Sequence, residues 1–192
     1  EIGVRLVGSE MCIRDRRNDM IDLLSDYCKK IELDITDTQL QQFDDYYRFL
    51  VEKNKVMNLT TIIEKEDVVL KHFIDSIYIM KYTDFDEKKV IDIGTGAGFP
   101  GIPLAIMNPQ TLFVLLDSLN KRINFLNEVC NLCNLSNVIT IHGRAEEISR
   151  KEEYREKFDY VVSRAVANMS TLLEYCTPFL KVGGQIISYK SG

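Results

Sequence analysis

The chain has 192 residues, of which 45% are hydrophobic and 28% charged, and its formal net charge is −5 at pH 7. This composition is typical of a globular protein, and the length allows one domain with a full core plus a modest extension. No apolar run approaches the roughly 20 residues of a membrane helix, and the negative charge argues against a surface broadly coated with nucleic acid.

The cysteines give no sign of a disulfide framework or a metal site. There are five, an odd number, which fits a reducing cytoplasm. Cys130 and Cys133 form a C-x-x-C pair inside a predicted helix, without a second pair of cysteines or histidines nearby. We therefore expect a cytoplasmic protein without a metal.

Residues 1–17 look foreign to the rest of the chain. They contain no initiator methionine and no sustained helical period, and they end in an unpatterned segment. We interpret them as a non-native or disordered leader.

Residues 18–86 predict an all-helical N-terminal cap. The apolar spacing predicts three helices, which begin near Met20, Asp37 and Lys65. The second start is the sharpest, because Thr36 and Gln39 have the spacing of a capping box.

Residues 87–192 alternate between strands and helices. Five strands are predicted, over residues 90–93, 112–116, 138–141, 158–162 and 185–189. Helices are predicted over about 100–107, after an N-cap at Ser118, from about Ala145, and over about 170–180. The alternation predicts an α/β, Rossmann-like, mostly parallel, doubly wound sheet that binds ligands at the carboxyl ends of its strands. The chain stops just past the fifth strand, so we expect the last strands of the sheet to be missing.

Three alternating glycines, Gly94, Gly96 and Gly98, follow the first predicted strand directly. Glycine permits positive φ and the close approach of a ligand, so we expect a nucleotide-like molecule here. The dinucleotide fingerprint G-x-G-x-x-G can also be laid on Gly96, Gly98 and Gly101. However, its first glycine should leave the strand where Gly94 stands, and reading from Gly94 puts Phe99 in place of the third glycine.

Polar residues also follow the other predicted strands, which places them at the same edge of the sheet. The Asp117 carboxylate is able to accept both hydroxyls of a ribose, or it merely starts a turn. Glu146, after the third strand, either reaches an adenine edge or stabilises a helix start. Arg164, after the fourth, either contacts the ligand or an RNA phosphate or is a structural ion-pair partner.

One histidine of the cap is a further candidate. His72 is spaced to share a helix face with Lys71, Asp75 and Ser76. It is either a general base or a histidine hydrogen-bonded to a nearby carboxylate.

Several of these segments together resemble one family, the bacterial 16S rRNA guanine-N7 methyltransferases, or RsmG (GidB) family. The likeness runs from about Met20 to the end of the chain. It is carried by Val90–Gly101, Leu115–Ser118, Lys121-Arg122, Phe125-Leu126, Ser163–Ala165 and, in the cap, Asn54, Asn58–Thr60 and Lys71–Ser76.

The resemblance implies a class I methyltransferase that transfers a methyl group from S-adenosylmethionine to N7 of a guanine in 16S rRNA. The partner would be 16S rRNA or the small ribosomal subunit, and we expect a monomer without membrane contact. The expected cofactor-binding residues are Gly94, Gly96, Gly98, Phe99, Asp117, Ala145, Glu146 and Arg164. The candidates for positioning the reactants are Arg164, Lys190 and His72. The family usually has glycine directly after the lysine of the fifth strand, whereas Ser191 follows Lys190 here.

The chemistry of the target base agrees with the motifs that the chain lacks. Guanine N7 carries a lone pair and no proton, so its methylation needs no general base. The Asp/Asn-Pro-Pro-Tyr/Phe motif of amino-group methyltransferases and the Pro-Cys pair of cytosine-C5 enzymes are both missing. The alternatives are an NAD(P)-dependent oxidoreductase and a non-catalytic, truncated binding fragment, since relatives continue with a helix and a β-hairpin.

Overall fold

A five-stranded, entirely parallel sheet forms the centre of the molecule. The computed structural model describes residues 7–164 and 168–189, and side chains from residue 19 onward. The strands are β1 (Lys89–Ile93), β2 (Leu112–Asp117), β3 (Val138–His142), β4 (Phe158–Arg164) and β5 (Leu180–Tyr189). Their order is β3-β2-β1-β4-β5. The chain therefore adds β2 and β3 on one side of β1 and then β4 and β5 on the other side. This change of direction opens a crevice between the carboxyl ends of β1 and β4.

Seven helical segments surround the sheet in the described part of the chain. They are α1 (Val7–Lys30), α2 (Asp37–Met57), α3 (residues 65–81), α4 (Gly101–Met107), α5 (Asn120–Leu132), α6 (Ala145–Ile148) and α7 (Met169–Cys176), which a 3₁₀ turn (Thr177–Phe179) extends. The predicted Rossmann-like alternation is thus confirmed. Within the described residues, no helix combines the length and the apolar character needed to cross a membrane.

The cap helices begin and end largely where the sequence indicates. Thr36 caps α2 with the full capping box that its spacing to Gln39 predicts, and Asn58 ends α2 in the left-handed conformation (φ 49°). Helix α1, by contrast, begins at Val7, so helical backbone extends into the segment interpreted as a leader.

Helix α3 begins at Lys65, as predicted, and runs without a break to Lys81, but it is irregular. It passes from α-helix (Lys65–Val68) through a π-helical turn (Val69–Ile74) and a second α-helical turn (Asp75–Ile77) to a 3₁₀ turn (Tyr78–Lys81). π-helical turns interrupt the i→i−4 hydrogen-bond ladder and frequently occur at functional sites.

Cap and sheet share one hydrophobic core. Residues of the cap and of α4 and α5 form a continuous buried cluster on one face of the sheet, which includes Phe43, Tyr46, Phe73, Phe99, Ile102 and Leu126. A second cluster on the other face joins β1 and β2 to α6 and α7, around Ile91, Leu116, Ile148 and Leu172. The cap is therefore packed directly against the edge at which ligands are expected.

Two local predictions in the second half are wrong. Ser118 is not the N-cap of α5, because the helix begins at Asn120 after Leu119 and has no side-chain cap of its own. The Leu119 N–H donates instead to Asp117 Oδ1 (2.9 Å). Strand β5 begins at Leu180, five residues earlier than predicted, and runs through Gly183 and Gly184, which precede the predicted strand.

Candidate active site at the carboxyl edge of the sheet

A cavity of about 230 Å³ opens where β1, β2 and β3 end. Four predicted site residues line it: Gly94, Asp117, Ala145 and Glu146. Ser118, Arg144 and Tyr175 line it as well, although they were not among the predicted site residues. The polar groups that follow successive strands are thus brought to one place.

The glycine loop has a backbone that other residues rarely adopt. Gly94, Gly96 and Gly98 have φ values of 69°, 62° and 101°. A Cβ on Gly98 would also lie 2.7 Å from Ile102 Cγ1. Gly94 lines the cavity, whereas Gly96 and Gly98 are not among its lining residues, so their contact with a ligand stays a prediction.

Asp117 connects the loop to the next helix while it faces the cavity. Its side chain is buried, Oδ2 accepts the Gly96 N–H (2.9 Å), and Oδ1 accepts the Leu119 N–H (2.9 Å). Arg122 Nη1 lies 3.3 Å from Oδ2. Asp117 therefore starts the turn into α5 and also lines the cavity, while its contact with a ribose stays a prediction.

A second carboxylate, that of Asp92 in β1, holds the glycine loop through hydrogen bonds. The sequence analysis did not identify it. Asp92 Oδ2 accepts the Thr95 hydroxyl (2.7 Å) and the Gly101 N–H (2.9 Å). Burial raises the Asp92 pKa to about 7. Among the described residues, nothing hydrogen-bonds its Oδ1. The available signal was a single acidic residue inside an otherwise apolar strand.

Tyr46 of the cap also holds the glycine loop in place. The sequence analysis gave this residue no role beyond the hydrophobic core. Its hydroxyl donates to the Ala97 carbonyl (2.5 Å), and its ring lies 5.4 Å from that of Phe99. Burial raises the Tyr46 pKa well above its ordinary value, so the hydroxyl keeps its proton and remains a donor.

Arg164 lies outside the lining of the cavity and joins β4 to α3. Its Nη1 donates to the Lys71 carbonyl (3.2 Å), and its Nη2 donates to Ser76 Oγ (2.9 Å) and pairs with Asp75 Oδ2 (2.7 Å). The guanidinium also lies over the Tyr189 ring, 5.1 Å from its centroid. These are the contacts of a structural ion-pair partner, and its contact with the cofactor stays a prediction.

His72 stacks on Phe99, the residue directly after the glycine loop. The ring centroids are 4.3 Å apart and the planes differ by 17°. Nε2 lies 2.9 Å from Thr60 Oγ1. The partner is thus a hydroxyl, and the predicted carboxylate partner is wrong. Burial, and to a lesser degree the charge of Arg164, lower the His72 pKa to about 4, so the ring is neutral at physiological pH.

The candidate residues thus form two neighbouring groups joined by the glycine loop. Gly94, Asp117, Ala145 and Glu146 surround the cavity. Phe99, His72 and Arg164 lie beside the loop, between β4 and α3. Lys190 lies outside the described residues.

The C-x-x-C pair has no reactive thiolate. Burial raises the pKa of Cys130 to about 11 and that of Cys133 to about 12. Among the side chains that the structure describes, no group of three or more histidine, cysteine or acidic residues is placed to hold a metal ion.

Comparison with known families adds evidence that the geometry alone does not give. The family model described as rRNA small subunit methyltransferase G (GidB) matches residues 39–192. A ribosomal RNA small subunit methyltransferase G from Desulforamulus reducens is 51% identical over 174 residues, which cover 90% of this chain and 72% of that protein. The protein of the same name from Lachnoclostridium phytofermentans is 53% identical over 165 residues, with coverages of 85% and 68%.

Solved structures share the fold at low sequence identity. A putative S-adenosyl-L-methionine-dependent methyltransferase from Methanococcus maripaludis has a TM-score of 0.56 and 18% identity, and the match covers 76% of this chain and 62% of that one. A putative caffeoyl-CoA O-methyltransferase from Staphylococcus aureus has a TM-score of 0.53 and 19% identity, with coverages of 74% and 65%. The sheet and its helices are thus arranged as in these two proteins.

Proposed function

The chain belongs to the GidB family of rRNA small subunit methyltransferases G, and from this premise we propose that it methylates N7 of a guanine in 16S rRNA. Its cofactor is S-adenosylmethionine, and its substrate class is the RNA of the small ribosomal subunit. The family match replaces the NAD(P)-dependent alternative. One structural observation carries the assignment of the site, namely the cavity in which Asp117 and the Ala145–Glu146 segment face the backbone of Gly94.

The acceptor positions of the Asp117 carboxylate fit the ribose hydroxyls of the cofactor. A carboxylate offers about four acceptor positions, and Gly96, Leu119 and Arg122 donate to Asp117. One position remains for a ribose hydroxyl, and a second hydroxyl would displace the longest of the three contacts, that of Arg122 at 3.3 Å. Ala145 and Glu146 would then frame the adenine.

The residues around Phe99 are suited to positioning rather than to proton transfer. S-adenosylmethionine supplies a methyl group on a positively charged sulfur, and guanine N7 presents a lone pair without a proton. Since no proton has to leave the base, His72 is not required as a general base. The protein contributes by holding the two reactants in line at close range, which is an effect of orientation.

Arg164 acts on this arrangement through α3. It binds the carbonyl of Lys71, the residue that precedes His72, and both Asp75 and Ser76 on the next helical turn. We assign it the role of a positioning residue that keeps the cap closed over the glycine loop. A role for Lys190, a monomeric state and a cytoplasmic location remain predictions.

The test is methyl transfer from labelled S-adenosylmethionine to small-subunit RNA that lacks the modification, with free rRNA and assembled subunits assayed in parallel. We expect incorporation into 16S rRNA, at a guanine that becomes sensitive to reduction and aniline cleavage, as N7-methylated guanines are. If no labelled methyl group is incorporated into free rRNA or into assembled subunits, catalysis is refuted and the reading as a non-catalytic binding fragment is favoured. Incorporation without aniline-sensitive cleavage would refute the N7 target alone.

A further inference from the structure

The stack of Phe99 and His72 is buried more completely at Phe99 than at His72. Phe99 is 6% exposed, and its ring is enclosed by Tyr46 and Phe73 of the cap in addition to His72. The His72 side chain is only half-buried. One face of its imidazole lies against Phe99, and Nδ1 is buried without a hydrogen-bond partner among the described residues, so the face opposite Phe99 is the one left for a stacking ligand.

The imidazole is held in a fixed orientation by its own loop. Thr60 Oγ1 lies 2.9 Å from Nε2. Thr60 is in turn fixed by Asn54, whose Oδ1 accepts the Thr60 N–H (2.9 Å) and whose Nδ2 donates to the Thr60 carbonyl (2.9 Å). An aromatic ring held in this way loses little further freedom when a ligand stacks on it, so it is a pre-organised surface.

The backbone beside His72 is fixed as well. His72 lies in the π-helical turn of α3, where the Lys71 carbonyl accepts a hydrogen bond from Arg164 and the His72 carbonyl accepts one from the Ser76 hydroxyl. Sheet and cap therefore both determine where the ring stands.

We propose that the target purine stacks on the face of His72 opposite Phe99 and extends the Phe99–His72 stack, so that His72 is a binding residue for the base rather than a proton acceptor. This inference rests on the proposed function, since it concerns the base that is methylated. Enzymes that modify a base turn it out of its helical stack and hold it against aromatic side chains. Each base stacked on an aromatic side chain contributes roughly 1–3 kcal/mol to nucleic-acid binding.

The charge of the ring matters because the reaction changes the charge of the base. Methylation at N7 leaves a positively charged purine, which an imidazolium would repel and a neutral imidazole accommodates. The depressed pKa of His72, about 4, keeps the imidazole neutral throughout the physiological range. A phenyl ring at this position would preserve both the stacking surface and the neutrality, and it would remove any ability to accept a proton.

This difference defines the experiment. The variants His72→Phe and His72→Ala are compared with the wild type for equilibrium affinity toward a labelled 16S rRNA fragment without cofactor, and for kcat and KM with S-adenosylmethionine. We expect His72→Phe to stay within about threefold of the wild type. In His72→Ala, the Kd and the KM for RNA should rise about 10- to 100-fold, as loss of one stacking contact implies.

Tyr78→Ala is the matched control, because Tyr78 is an exposed aromatic residue (44%) of the same helical segment with no contact to Phe99. Its RNA affinity should stay near the wild-type value. Thermal unfolding and S-adenosylmethionine affinity confirm that each variant is folded.

Three outcomes would overturn the proposal: a His72→Phe variant as impaired as His72→Ala, a His72→Ala variant with unchanged affinity and KM, or an equal loss in Tyr78→Ala. A wild type that binds the RNA through His72 but transfers no methyl group would instead refute the proposed function alone.

Discussion

Replacing Asp117 by alanine separates the two tasks that the structure gives to this residue. The buried carboxylate holds the Gly96 N–H and the Leu119 N–H, and it faces the cavity in which we place the cofactor's ribose. The first task affects folding in the absence of any ligand. The second affects only the binding of the cofactor.

The expected loss of stability follows from the groups that are left without a partner. The Gly96 N–H is partly buried, and leaving such a donor unsatisfied costs about 1–3 kcal/mol. Leu119 is 42% exposed and Arg122 keeps a third of its side chain in solvent, so water replaces most of their lost contacts. We therefore expect Asp117→Ala to lower the free energy of unfolding by about 1–3 kcal/mol, most of it from the Gly96 N–H.

The expected loss of affinity follows from the ribose. A hydrogen bond from a hydroxyl to a carboxylate contributes about 1.5–3 kcal/mol, which corresponds to a roughly 10- to 150-fold higher Kd for S-adenosylmethionine. Calorimetric titration measures this value directly on the wild type and on Asp117→Ala.

The control is Asp159→Ala, at the opposite end of the sheet. Asp159 also accepts a backbone N–H, that of Lys89 (2.9 Å), and also pairs with a basic side chain, Lys181 (2.9 Å). It should lose stability without losing cofactor affinity. If Asp117→Ala behaves in the same way, with a Kd within twofold of the wild type, the assignment of Asp117 to the cofactor site is wrong.

Other variants test the supports of the site. The pKa of Asp92 is raised to about 7, so this residue makes the folded state less stable as the pH rises from about 4 to 7. The pKa of His72 is lowered to about 4, so this residue makes the folded state more stable as the pH rises from about 4 to 6.5. Since the two effects oppose each other in the wild type, Asp92→Asn should show an unfolding free energy that increases more steeply over this window in urea titrations; an unchanged slope would contradict the burial of a protonated carboxyl. Gly101→Ala places a methyl group 2.3 Å from Leu115 Cδ2 and should cost about 1–3 kcal/mol by the same method, and a neutral result would show that β2 and α4 have room to separate. Arg164→Lys keeps a charge but not the guanidinium's two hydrogen bonds to α3, so the KM for rRNA should rise by about tenfold while the S-adenosylmethionine Kd stays the same; a normal KM would make Arg164 purely structural.

Sequence reasoning succeeded where a local pattern determines the structure. The capping box of Thr36 and Gln39 is satisfied within one turn of helix, so it locates the start of α2 without reference to the rest of the fold. Apolar runs of strand length that alternate with helical periods determine the parallel sheet in the same way, because each run has to be buried on both faces.

It failed where the partner is distant in the chain or where the pattern is ambiguous. Arg164 bonds to α3 residues 88 and 93 positions earlier, and no local signal marks such a pairing. The π-helical turn in α3 escapes detection because its apolar spacing still fits a helix. Gly183 and Gly184 stand where β5 is irregular: Leu180 pairs with Phe158 and Gln185 pairs with Tyr160, so the residues between them bulge out of the regular pairing, and Gly183 has a positive φ of 85°.

The two carboxylates around the glycine loop explain why glycine spacing alone was ambiguous between two cofactor classes. Glycines permit the backbone of the loop, but they do not determine which way its N–H groups point. Asp92 directs the Gly101 N–H inward, toward the buried strand, and Asp117 directs the Gly96 N–H toward the end of β2. Gly101, the third glycine of the dinucleotide overlay, is thereby committed to packing α4 onto the sheet, where its absent Cβ leaves space for Leu115 and Asp92. A glycine that serves helix packing in this way is no evidence for a pyrophosphate, so the acids beside the loop, rather than the glycines in it, indicate which ligand the loop can hold.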